Sequence, residues 1–376
     1  MKYRLEDICV KITDGSHYSP TDTVDSNIPM LSVKDMQEFD FNYDNCKHIS
    51  EEEYDKMLRS DCVPKLYDIL VAKDGSYLKE IFVNEEESKK AILSSIAIFR
   101  PNQKIVDPYF LCYLLKTPMI LNYVKENCVS GTALPRIILR AFKGIELIIP
   151  ELEKQKKISK IIRNINNKII INNKINKNLF EISKELLLKY LENNKNIEEI
   201  NLNELLNIFT GKKNANETSP NGKYKFFSCA PESLLSDTFL FDGAAIIVAG
   251  NGAYTGRTRF YEGKFDLYQR TYGLTLKEEL NKNNIYGLYV FMKVIFEPDK
   301  MGGTRGSAIP YIVLSDLTNY KIKYNKIEFD VFSNLVSNNI KLIQENEKSN
   351  ERLSQLRDTL LPKLMNGEID LENINI

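Results

Sequence analysis

Histidine is nearly missing from this chain: His17 and His48 are the only two. Six cysteines, at positions 9, 46, 62, 112, 128 and 229, form no CxxC pair. Zinc-type centres need His or Cys ligands at short spacings, so no metal site is expected and the thiols read as structural. No run approaches the roughly 18 apolar residues of a membrane span, and the opening MKYRLEDICVK has no apolar core of signal-peptide length. A cytoplasmic protein without a membrane partner is expected. Net charge is also lacking, because 51 Lys+Arg balance 51 Asp+Glu. That argues against a protein that clings to nucleic acid by bulk charge.

Catalytic motifs are absent as well. No Walker lysine motif occurs. Asp107-Pro108-Tyr109-Phe110 lacks the second Pro of the Asp-Pro-Pro-Tyr loop of adenine methyltransferases, and no glycine-rich strand-turn-helix precedes it. GNGAYTG, residues 250–256, departs from GxGxxG and runs into strand-like RTRFYEGKF, so it reads as a tight turn between strands. Glu151, Glu153 and Lys154 have the composition of a nuclease cluster but sit at a helix start, where acidic residues favour the macrodipole. No catalytic residue and no cofactor are expected on this chain.

What is present is a rod, and it occurs twice. Residues 151–192 contain no Pro or Gly, and about 42 residues at 1.5 Å each give roughly 60 Å of helix. Steps of seven pick out Ile158, Ile165, Asn172, Leu179 and Leu186, with Ile161, Lys168, Ile175, Ile182 and Lys189 beside them. A shift of 174 positions gives Phe332, Asn339, Asn346, Leu353 and Leu360, with Leu335, Leu342, Ser349, Leu356 and Lys363. A seam this sparse needs a partner, so the rods are expected to pair, with Asn172 and Asn346 facing each other near the midpoint and setting register.

Other landmarks recur in the same order. Leu5-Glu6-Asp7-Ile8 before Asp14-Gly15 has its counterpart in Leu202-Asn203-Glu204-Leu205 before Thr210-Gly211. ILVAKDG at 69–75 matches IIVAGNG at 246–252, and GTALP at 131–135 matches GSAIP at 306–310. Each half is therefore a mixed domain followed by a long helix: a first domain at 1–150, a helix at 151–195, a second domain at 196–325, and a helix with a tail at 326–376. LSVKDM, DILVAK, AILSSIAIFR and KGIELIIP read as strands of the first domain, and FFSCAP, GAAIIVAG, RTRFYEGKF and RTYGLTL as strands of the second. Helices are expected over 109–126 and 283–296. The fold class is α+β, with two mixed α/β domains separated by an antiparallel pair of long helices in a pseudo-two-fold body. Residues 1–150 carry 19 Lys+Arg against 23 Asp+Glu, net −4, whereas 201–326 carry 16 against 12, net +4.

These passages resemble the DNA-specificity subunit of type I restriction-modification systems. The resemblance covers essentially the whole chain and is most specific at the two Gly-Ser/Thr-Ala-x-Pro passages, at IPELEKQKKI opening the first rod and at QLRDTLLPKLMNGEI closing the second. TDGSHYSP and YQRTYGLT are also similar to passages of such subunits. The resemblance implies two target-recognition domains, each reading one half of a bipartite site in double-stranded DNA. It implies two methyltransferase subunits docked on the helices, S-adenosylmethionine bound by those subunits, and restriction subunits as further partners. A duplicated domain can meet a pseudo-two-fold duplex at fixed spacing, and domains that differ in sequence imply an asymmetric site. A scaffold that binds protein through duplicated domains is the alternative, separable by the salt dependence of binding to random duplex.

Bases are read by Arg, Lys, Asn, Gln, Ser and Thr, and phosphates by cations and turn amides. In the first domain the candidates are Ser16, His17 and Tyr18 after the Asp14-Gly15 turn, and Lys73, Ser76, Tyr77 and Lys79 around Gly75. In the second they are Asn251, Tyr254, Thr255, Arg257 and Arg259, with Tyr268, Gln269 and Arg270. Half of the first set could equally shape solvated turns. Arg136 and Arg305, flanking the Gly-Ser/Thr-Ala-x-Pro passages, read as structural.

Overall fold

The computed structural model describes residues 1–23, 26–75, 78–131, 136–193, 197–214, 216–296 and 310–371. The chain divides into two compact units, Met1–Ile170 with Asn350–Ile376, and Ile171–Ser349, so each takes part of both long helices.

In the first unit the strand Lys2–Arg4 lies antiparallel to Glu146–Ile148, with Lys2 opposite Ile148, so the two ends of the domain meet. A short helix, Leu5–Ile8, leads into a four-stranded antiparallel sheet ordered Cys9–Asp14, Ile96–Pro101, Ile69–Ala72, Ile81–Val83. All four residues of Ile69–Ala72 are buried. Ile69 and Val71 join one apolar cluster with Phe110 and Leu111 of the helix Pro108–Leu115, while Leu70 and Ala72 join another with Met36, Phe41 and Ile92. Burial on both faces explains why this stretch is a continuous apolar run and not an alternating one. Asp107 is the cap of Pro108–Leu115: Oδ1 accepts from the Phe110 amide at 2.9 Å and from the Ser159 hydroxyl at 2.5 Å. The Asp-Pro-Tyr-Phe sequence is therefore a helix start, with Pro in the first turn where its missing N–H costs nothing.

The second unit repeats the plan. Glu198–Asn201 pairs antiparallel with Lys321–Tyr324 and is followed by a 3-10 turn, Leu202–Glu204. Its sheet runs Leu206–Thr210, Thr271–Leu276, Phe241–Ala249, Thr258–Leu267, Tyr224–Phe227, Leu234–Ser236, and the first four strands reproduce the order of the first unit. Tyr224–Phe227 joins parallel to Thr258–Leu267. The helix Asn284–Ile295 packs on the sheet, with Tyr286 and Tyr289 against Phe260. Two expected strands are divided. LSVKDM is the end of Ile28–Leu31 followed by a 3-10 turn, Val33–Asp35, and AILSSIAIFR breaks into Ala91–Ile92 and Ile96–Pro101. These two pieces belong to different sheets, so the chain turns at the serines between them.

The long helices are Leu152–Asn193 and Lys326–Met365, of 42 and 40 residues. They run antiparallel. In the second unit Asn339 donates to Ser183 Oγ at 3.1 Å and Asn346 to Asn176 Oδ1 at 2.8 Å; in the first, Arg357 donates to Asn166 Oδ1 at 3.2 Å. Of the two sevenfold columns, one lies in the seam, with Ile158, Asn172 and Phe332 buried and Asn339 and Asn346 bonded across it, while the other is displaced by one residue. Ile162, Ile169 and Ser183 are buried on the first helix and Phe329, Ser333, Val336 and Ile340 on the second. Ile175, Ile182, Leu335, Leu342 and Leu356, all expected in the seam, are instead 39, 52, 56, 42 and 48% exposed. The helices meet through Ser and Asn that hydrogen-bond across the pair and through apolar packing such as Tyr190 stacked on Phe332. Asn346 thus donates to Asn176, and Asn172 is buried, 1% exposed.

Candidate nucleic-acid interface

At one end of the second sheet, loops from distant parts of the chain are tied by main-chain hydrogen bonds. Gly211 N donates to Thr271 O at 3.2 Å, Gln269 N to Lys213 O at 2.9 Å, Tyr268 N to Phe227 O at 3.0 Å, Gly250 N to Arg270 O at 2.9 Å and Gly252 N to Pro310 O at 3.1 Å. The approach is close enough to require glycine, since a Cβ on Gly211 would lie 2.1 Å from the Leu267 carbonyl oxygen. Residues 250–256 join one strand to the next, with Gly252 at φ +83°, and are a turn of the sheet.

This end gathers most of the second-domain candidates. Tyr254 is 46% exposed, and the exposed Arg257 guanidinium lies 4.9 Å from its ring centre. Arg270 and Gln269 are exposed, and Gln269 Nε2 donates to Asn214 Oδ1 at 2.9 Å. Other candidates serve the scaffold. The Thr255 hydroxyl lies 2.7 Å from Gly252 O and 2.9 Å from Pro310 O, bracing the turn. Asn251 bridges to Tyr311, and Tyr268 is half-buried in a bridge to Lys213. Arg259 is half-buried, hydrogen-bonded to the Ala230 carbonyl and 5.7 Å from the Phe227 ring centre; burial and the neighbouring Arg257 push its pKa down.

The first unit builds the same constellation. Gly15 N donates to Ile96 O at 3.0 Å, Ser94 N to Ser16 O at 2.9 Å, Lys73 N to Ser95 O at 2.9 Å and Ile137 N to Lys73 O at 3.0 Å. The bridges Ser16 to Leu93 and Asp74 to Arg136 correspond to Lys213 to Tyr268 and Asn251 to Tyr311. Gly75, at φ +73°, stands where Gly252 does. The side chains differ. Lys73 is 9% exposed, with Nζ 2.5 Å from Asp14 Oδ2, and His17 Nε2 lies 3.4 Å from the same oxygen. Ser16 is 8% exposed, and its hydroxyl closes a turn on the Tyr18 main chain. Arg136 faces Asp74 at 3.5 Å. Tyr18, 61% exposed, and Lys79 remain open to solvent, while Ser76, Tyr77 and Arg305 lie outside the described residues. A cavity of about 500 Å³ adjoins this end, lined by Asp14, His17, Tyr18, Lys56 and Cys62 among others.

Several contributors escape a reading of the sequence. Asn214 carries no local signal, and its partner is a residue |i−j| = 55 away. Lys213 looks like a free cation, but its Nζ reaches Asp266 at 2.7 Å and the hydroxyls of Ser236 and Thr238 at 2.7 and 2.6 Å. Among the described residues no group of three or more His, Cys, Asp or Glu could hold a metal ion, and no helix is long and apolar enough to cross a membrane.

The repeat is matched by the model of a known family. The family model of the type I restriction modification DNA specificity domain matches residues 1–181 and again 194–354. This chain belongs to the type I restriction-modification DNA-specificity family. Within that family, the MjaVIII specificity subunit of Methanocaldococcus jannaschii is 24% identical over 362 residues, spanning 85% of this chain and 83% of the relative. The EcoDI specificity subunit of Escherichia coli is 30% identical over 157 residues, which is 40% of this chain and 34% of that one. The crystal structure of a type I S subunit from M. genitalium shares the fold, with TM-score 0.62 at 15% identity over 97% of this chain and 95% of the other.

Proposed function

We propose that this chain is the non-catalytic subunit that selects DNA sequence for a type I restriction-modification complex, reading an asymmetric bipartite site with one loop cluster per half-site. One observation carries this: the same loop scaffold is built twice, with matching bridges and glycines but different side chains at the exposed positions. A common frame with different tips is what two readers of two different half-sites require. The second cluster offers Arg257 and Arg270 to the DNA, while most cations of the first are matched by carboxylates, so the second supplies more of the salt-dependent affinity.

The long helices carry the readers and receive the methyltransferase subunits. In the second unit the reading domain covers one flank of the pair, where Lys341 lies 5.1 Å from the Tyr286 ring centre and Asn284 donates to Asp330 at 2.8 Å. Ile175 and Ile182 occupy matching heptad positions to Leu335 and Leu342, and in an antiparallel pair such positions fall on one common flank. That exposed apolar flank suits helices of a partner. Because the helices repeat, two methyltransferase subunits are accommodated. S-adenosylmethionine and the methyl-transfer groups belong to those subunits, and restriction subunits complete the assembly. Exchanging residues 1–150 for the corresponding domain of a relative should change one half-site and keep the other, as mapped by methylome sequencing. A simultaneous change in both half-sites would overturn the two-reader model.

A further inference from the structure

Asn214 and Gln269 come from separate loops and meet, both exposed, at the tip of the second cluster, with Gln269 Nε2 donating to Asn214 Oδ1 at 2.9 Å. Their backbones are fixed. Glu217 accepts from the Asn214 amide at 2.5 Å and returns its own amide to the Asn214 carbonyl at 3.1 Å. The preceding Lys213 is anchored by Asp266, and its carbonyl accepts the Gln269 amide at 2.9 Å. Neither side chain makes another hydrogen bond among the described residues. The side-chain amide of Gln269 is therefore restrained by this contact, with one N–H committed to Asn214 and the second N–H and Oε1 left over.

An amide edge that offers one donor and one acceptor matches adenine in the major groove, where N7 accepts and the N6 amino group donates. A free glutamine would first have to lose rotamer freedom, whereas here contact with Asn214 already restrains the side chain. We propose that Gln269 reads an adenine of the half-site bound by the second domain and that Asn214 is its positioning residue. The assignment rests on the chain's reading DNA through these loops. In the first unit the equivalent strand turn carries Ser94, bonded through its main chain to Ser16, so that unit has no such amide pair and reads different chemistry at this point.

The test uses the assembled complex with its methyltransferase subunits, acting on a library of duplexes randomised across the site. Gln269→Ala should reduce adenine preference at one position of the second half-site by about 10- to 100-fold. Gln269→Glu, of the same shape but offering two acceptors, should move that preference toward cytosine, whose N4 group donates. Asn214→Ala should weaken preference at the same position, and Asn214→Asp, which retains the accepting oxygen, should restore it. Every variant should leave the first half-site unchanged. Both residues are exposed, so thermal unfolding should match the parent protein, and if one variant fails to fold the others still decide. Unchanged preference at every position would overturn the assignment, as would equal weakening on all sequences, which marks a backbone contact. If the parent complex showed no sequence preference at all, the DNA-reading role itself would fall instead.

Discussion

Two arginines two residues apart illustrate how far residue type alone determines a role. Arg257 stands free over Tyr254, while Arg259 is tied to the Ala230 carbonyl beside Phe227. Arg257→Ala should weaken specific binding by about 1–3 kcal/mol if the guanidinium reads a guanine edge, with little change in unfolding temperature. Arg259→Ala should lower the unfolding temperature first, because it removes packing and a carbonyl partner; equal behaviour of the two in paired melting and binding assays would contradict this. Pairing of this kind is invisible in sequence: Lys73 reads as a candidate DNA contact until folding brings Asp14 to it, and Lys213 is held in the same way by Asp266. Asp61 shows the same with a pH consequence. Burial pushes its carboxyl up, but hydrogen bonds from Lys11, Lys65 and Arg100 outweigh that and hold it well below the usual carboxylate range. A depressed folded value means that its stabilisation is complete above the unfolded value of about 3.9 and is lost as pH falls through the folded one. Asp61→Asn should therefore flatten the loss of stability on acidification below about pH 4, measured by urea midpoints.

The elements were legible wherever periodicity met a clear stop. The strand Ile69–Ala72, the helix Asn284–Ile295 and both long helices lie where apolar patterning places them. One column of the seam is displaced by one residue because apolar size is a poor guide where Ser183 and Asn176 form the contact and Ile182 and Leu335 do not. Those exposed side chains make a prediction about assembly. Ile182→Lys with Leu342→Lys should leave the stability of the free subunit within about 0.5 kcal/mol, since neither side chain is buried. The same pair should abolish co-purification with the methyltransferase subunits by size-exclusion chromatography. Retained co-purification would move the docking surface elsewhere.

At the scale of the whole molecule, the duplication was readable because backbone demands are conserved between halves: Gly15 and Gly211 face a carbonyl too closely for any Cβ, and Gly75 and Gly252 share a left-handed φ. The make-up of the two loop tips was not, because they are assembled from segments far apart in the chain. If the long helices set the distance between half-sites, a heptad inserted after Lys174 and another after Lys348, which face each other by the Asn176–Asn346 register, keeps the seam in phase. Each helix gains about 10 Å, so the preferred gap should widen by about three base pairs of 3.4 Å, with both half-sites intact. Methylome mapping that returned the original gap would rule the helices out as the spacer. The strand pairs closing each domain carry a consequence for heredity. Lys2 lies opposite Ile148 and Glu198 opposite Tyr324, so each reader enters and leaves its helix framework through a single doorway. Crossing-over at two breakpoints within the coding sequence, one on either side of that doorway, transplants a complete domain without cutting a sheet, and if the domains read DNA as proposed, a lineage acquires a new target while keeping its long helices.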